Sequence, residues 1–138
     1  MKTFKRIEPL SNFQIIAKCQ ELKLDKFKGV FMRDELSRIA PQSDECMVIN
    51  IDHSSNEGTH WTCLFIRGGV AYYFDPYGFE PTLEVRDYCK GPRHYSSFQI
   101  QKMNEVICGH YCIYILYRLS NGDEFYDVCD ELYRRSHP

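Results

Sequence analysis

The chain has no apolar run of membrane-spanning length, and Met1-Lys2-Thr3-Phe4-Lys5-Arg6 lacks the hydrophobic stretch of a secretory signal. No internal repeat and no low-complexity linker divides it, so residues 1–138 read as one domain, long enough to bury a real core. Neither sign of charge predominates, with 17 Lys/Arg against 19 Asp/Glu. A net charge of −2 argues against wholesale nucleic-acid binding. No C-x₂-C pair occurs, and the seven cysteines are odd in number and fit no disulfide framework. They are expected to be thiols in a reducing, intracellular compartment, the cytoplasm or nucleus, with no membrane association.

Aromatics, by contrast, are plentiful, with ten tyrosines and nine phenylalanines, which argues against disorder. Basic residues concentrate early: residues 1–40 carry nine Lys/Arg against five Asp/Glu, and the remainder carries eight against fourteen. We read that third as solvated helix faces in preference to a polyanion patch, which would be weak.

Ser11 offers a cap before Phe13, Ile16, Ala17 and Gln20 at helical spacing, which predicts a helix over 12–22. Val30-Phe31-Met32 and the residues after it fit a short strand or a turn of helix. Residues 46–51 and 59–66 read as strands, the second joined through Gly68-Gly69 to a third at 70–75 in a hairpin. Pro76-Tyr77-Gly78 turns the chain, and Pro81 is expected in the first turn of a short helix. Residues 97–101 read as a further strand, and Asp123 to Arg135 as a final amphipathic helix. Central strands with helices at both ends predict a compact α+β domain, with a small mixed or antiparallel sheet and a buried central helix.

That central helix lies in the stretch Gln101 to Leu119, QKMNEVICGHYCIYILYRL, apolar almost without break from Tyr111 to Tyr117. Cys108 falls in its first turn, where unpaired N–H groups and the helix dipole favour a thiolate. Gly109 would leave room for a substrate backbone. His60 opens one strand of the hairpin and Asp75 closes the other. Antiparallel pairing therefore sets a base beside its orienting carboxylate. Each residue alone has a plainer reading: Cys108 as core, His60 as structural, Asp75 as a turn residue. Their convergence at element ends is what favours a nucleophile, a base and an orienter. Zinc is disfavoured, because Cys108 and Cys112 share a helix face and His110 points away. Neither a metal nor a cofactor is expected.

His60-Trp61, Asp75 in FDPYG, Gln101 and Cys108-Gly109 occur in an order that resembles the adenovirus-type maturation proteases (adenain). It is also similar to the proteases of ubiquitin-like proteins, and most to the small proteases of Polinton/Maverick elements and virophages. The likeness runs from about Ser11 to Gly122. It implies a circularly permuted papain-like arrangement with Cys108 as nucleophile, His60 as general base and Asp75 as orienter. It further implies that Gln101, with the Cys108 N–H, supplies the oxyanion donors, and that Trp61 packs beside the histidine. Gln99, on the same expected strand and face, competes with Gln101 for that role. Asp75 stands where adenain has glutamate, and Ile107 where the ubiquitin-like-protein proteases often carry aspartate.

The function this implies is a cysteine endopeptidase cutting precursor (capsid or core) proteins of a virus-like element, the enzyme itself being packaged in particles or free in the host cell. Its partner would be a polypeptide with small residues before the scissile bond. A weak polyanion or peptide activator belongs to the same expectation. The alternatives are a ubiquitin-like-protein protease or isopeptidase, an acyltransferase to Ser or Lys, and a silent binding module. An intact residue set speaks against the last.

Overall fold

The chain is built around one five-stranded sheet. The computed structural model of the chain describes residues 9–52, 54–55, 60–90, 93–100 and 107–137. Helix α1 spans Asn12–Glu21 and begins at a capping box. Ser11 Oγ accepts from the Gln14 N–H at 3.2 Å, and Gln14 Oε1 accepts from the Ser11 N–H at 2.8 Å. Strand β1 (Phe27–Met32) runs directly into a 3₁₀ helix, Arg33–Arg38, so the strand and the helical turn expected here as alternatives both form.

Strands β2 (Glu45–Asn50), β3 (Trp61–Arg67) and β4 (Val70–Phe74) form the antiparallel centre of the sheet. β1 adds parallel to β2, and β5 (Arg93–Tyr95) parallel to β4 after the crossover helix α2 (Leu83–Tyr88). Helices α3 (Cys108–Ser120) and α4 (Phe125–Ser136) complete the chain. The result is an α+β fold on a five-stranded mixed sheet.

The strand period of two divides the core in two. Cys46, Val48, Cys63, Phe65 and Phe74 face α1, α3 and α4, meeting Ile15, Ile115, Leu116 and Val128. Met47, Ile49, Leu64, Ile66 and Tyr73 face the 3₁₀ helix and α2, meeting Leu36, Val85 and Tyr88. A sheet covered on both faces needs strands apolar on both faces, which explains the unbroken run CMVI in β2. Each fully buried Leu or Ile here contributes roughly 1.5–3 kcal/mol. Lys28 crosses the far side, donating to Glu45 Oε2 at 2.9 Å and to the Ala40 carbonyl at 2.6 Å, so that the charged Glu45 in β2 is paired where it is buried.

Two expectations are corrected. Pro81 precedes the α2 cap instead of entering its first turn, because Thr82 Oγ1 accepts from the Val85 N–H at 3.4 Å and takes the cap itself. Residues 97–100 are not a strand. The Ile100 N–H donates to the Pro76 carbonyl at 2.8 Å and the Phe98 N–H to Ser96 Oγ at 3.4 Å, so these donors hold a bend and leave no ladder. The short β5 pairs with β4 in their place. Residue 101, the last of that expected strand, lies outside the described residues.

The bend is fitted to the turn after β4. Asp75 O accepts from the Gly78 N–H at 2.8 Å, and Gly78 has φ +79°. A Cβ on Gly78 would stand 2.8 Å from the Phe98 carbonyl group, closer than real contacts allow. Gly78→Ala is therefore expected to destabilise the chain by about 2 kcal/mol, from the positive φ and the clash together, measured by denaturant unfolding. An unchanged midpoint would contradict this account of the turn.

Candidate active site

The ladder between β3 and β4 pairs Cys63 with Phe74, and continued by three positions it sets His60 opposite Tyr77. Asp75 is then the diagonal neighbour of His60 on the same face, within reach of a ring. Nε2 of His60 donates to Asp75 Oδ1 at 2.7 Å, with His60 3% and Asp75 2% exposed. The same Oδ1 accepts the Tyr77 N–H at 2.7 Å. The Tyr77 ring stacks on the imidazole at 4.0 Å between centroids and 7° between planes. The carboxylate fixes one edge of the imidazole and the tyrosine covers one face.

Cys108 opens α3, whose N-cap, Ile107, has no capping side chain and whose first turn carries no acid. Nothing on the side chains there offsets the positive end of the helix dipole. Its sulfur accepts the Trp61 N–H at 3.4 Å. His60 Nδ1 is buried, and among the described residues no hydrogen bond of ordinary geometry satisfies it. Besides Asp75, Cys108 is the group whose hydrogen bonding and charge act on the ring. Burial would depress the imidazole pKa, but the hydrogen bond to Asp75, the interaction with Cys108 and their charges outweigh it and raise it from 6.5 to about 9. Burial alone would raise the Cys108 thiol, yet His60 and the Trp61 and Gly109 N–H groups bring it below its usual 9.0. The buried thiols of Cys19, Cys46 and Cys129 are instead pushed up to about 12, first by desolvation, and Cys112 also rises.

His60, Asp75 and Cys108 thus come together from three elements. Gln101 lies outside the described residues. Gln99 is exposed, just past the bend at Phe98 and outside any strand, so the strand period on which its candidacy as an oxyanion donor rested does not apply to it. Gly109 also differs from expectation. A Cβ there would meet Trp61 Cδ1 at 3.3 Å and Ile15 Cδ1 at 3.4 Å, so the missing side chain makes room for the protein's own indole. Tyr77 is the site residue that sequence reasoning missed. Its signal was the hairpin register itself, continued past Asp75 into a segment read only as a turn.

No family model matches the chain, and no curated protein matches it in sequence. Among solved structures it is similar to the ASFV pS273R protease, in a native and a selenomethionine crystal structure, each with a TM-score of 0.64 and 16% identity. The likeness covers 93% of this chain and 66% of that one, so the chain spans just under two thirds of its neighbour. It shows a shared fold.

A pair of raised imidazole and lowered thiol pKa values defines a pH window. From the depressed Cys108 value up to about 9, thiolate and imidazolium coexist. Thiolate absorbance at the ultraviolet edge should accordingly appear below pH 9, and His60→Ala should move it upward. The same midpoint in both proteins would contradict the coupling. Tyr77→Ala, which uncovers the imidazole face, should slow alkylation of Cys108 roughly tenfold, whereas Tyr77→Phe keeps the stack and the rate. Equal rates in all three proteins would leave the stack without a part in holding the ring.

Proposed function

We propose that this chain is a cysteine endopeptidase acting on polypeptides. The observation that carries the reading is the buried imidazole bonded to Asp75 at 2.7 Å and coupled to a thiol of lowered pKa at a helix start. The other six cysteines are buried as well, and none of them has His60 beside it with the opening turn of a helix beneath it.

In this reading the Cys108 thiolate attacks the scissile carbonyl, and negative charge moves to the carbonyl oxygen. The Cys108 N–H receives that charge with the help of Gln101, the second donor. The imidazolium of His60 then protonates the leaving amine as the C–N bond breaks, leaving a thioester. Water, deprotonated by His60, attacks the thioester and regenerates the thiol. Asp75 holds the ring and stabilises its protonated form; Trp61 fixes the sulfur through its N–H.

The substrate class we favour is precursor proteins of a virus-like element, with small residues before the cleaved bond, in a reducing compartment. The shared fold with a viral protease and the residue order His60, Asp75, Gln101, Cys108 support it. Among the described residues no helix is long and apolar enough to cross a membrane.

A thiol-directed electrophile should label the chain once, at Cys108, and Cys108→Ala should abolish both labelling and proteolysis. An alanine variant that still cleaved would overturn the assignment. Probes ending in a ubiquitin-like C-terminus, run beside peptides with small-residue cleavage sites, should react more slowly than the peptides are cut. The reverse order would move the substrate to ubiquitin-like conjugates.

A further inference from the structure

Beside Trp61 lies a cavity of about 340 Å³ that the chemistry above does not use. The end of β1, Val30, Phe31 and Met32, lines it together with Trp61, Asn12, Ser54 and Glu35. Trp61 connects it to the candidate active site, because the backbone N–H of this residue reaches the Cys108 sulfur. Indole Nε1 donates to the Leu10 carbonyl at 3.1 Å, and Cδ1 lies over Gly109. The five-membered edge is thus engaged by the chain itself, and Trp61 also lines the cavity.

Among the described residues that line the cavity, Glu35 is the charged one. Glu35 Oε1 accepts the Met32 N–H at 2.8 Å, which holds the carboxylate at the start of the 3₁₀ helix. Asp34 beside it grips Ser54, accepting its N–H at 2.8 Å and its hydroxyl at 2.6 Å. Arg33 is committed elsewhere, to both oxygens of Glu84 and to the Ile51 carbonyl. Among the described residues the lining contains neither lysine nor arginine. Apolar side chains from β1, an indole and a fixed carboxylate match a long aliphatic stem ending in a cation.

We propose that this cavity is a specificity subsite that takes an arginine or lysine side chain of the polypeptide substrate, near the scissile bond. The inference rests on the endopeptidase reading and adds what that reading leaves open, a preference for charge. Glu35 is the residue that sets it, through the carboxylate oxygen not used by the Met32 N–H.

The test is cleavage of a peptide set in which arginine, lysine, methionine or glutamate is placed in turn at each position flanking the cut bond. The wild-type chain should favour arginine or lysine over methionine by roughly tenfold in kcat/KM at one position, mostly through KM. Glu35→Gln retains an oxygen for the Met32 N–H and should bring that ratio close to one. Glu35→Lys should turn the preference toward glutamate. Cleavage with no basic preference at any position, or a preference that survives Glu35→Gln, would overturn the proposal alone. Absence of cleavage of every peptide by the wild-type chain would overturn the endopeptidase reading and this proposal with it.

Discussion

The hydrogen bond between His60 and Asp75 joins two groups that have almost no contact with water, and much of the surrounding structure serves to make that burial tolerable. An ionised carboxylate in a core needs its lone pairs filled, and Asp75 accepts both the imidazole and the Tyr77 N–H on one oxygen. Removing one partner of such a buried pair typically costs about 3–5 kcal/mol, because the other is left uncompensated. The hairpin of β3 and β4 supplies the register, the turn at Gly78 returns the chain, and the bend at Phe98 closes on that turn. The geometry of the imidazole is thus a property of the sheet and its exit, not of a loop.

The cysteines show how strongly environment outweighs residue type. All seven are buried thiols, and those with strongly raised values sit where desolvation dominates. Cys112 is one helical turn from Cys108 and has the opposite shift. The difference is the helix end: the first turn offers N–H groups and faces the histidine, and the second faces the apolar side of the sheet. The sulfur on the first residue of a helix otherwise wedged into the core has a rigid support, and there His60 and the Trp61 and Gly109 N–H groups outweigh the desolvation that prevails at Cys112.

Much of this was legible in the residues. Ser11 and Gln14 announced their capping box, and Gly68-Gly69 the hairpin. The apolar run after Cys108 predicted a buried helix starting near that cysteine. From the hairpin it followed that His60 and Asp75 are neighbours. What was not legible depended on competition between backbone donors. Residues 97–100 have the composition of a strand, but their N–H groups are taken by Pro76 and Ser96, partners that no periodicity reveals. The role of Gly109 was hidden for a related reason: a glycine signals close approach, and the sequence does not say whether the approaching group is substrate or the protein's own Trp61. Tyr77 escaped notice because a turn reading of Asp-Pro-Tyr-Gly accounts for all four residues without asking where the ring goes.

The rims of the sheet carry a consequence for how the molecule behaves in company. An edge strand ordinarily presents a row of backbone groups on which another chain can build. Here one border, β1, breaks register between Phe27 and Gly29, where Gly29 adopts φ +143°, and the other border, β5, is only three residues long. Neither is a long, flat template. An extended polypeptide that meets this sheet therefore finds little along either margin on which to add a further strand.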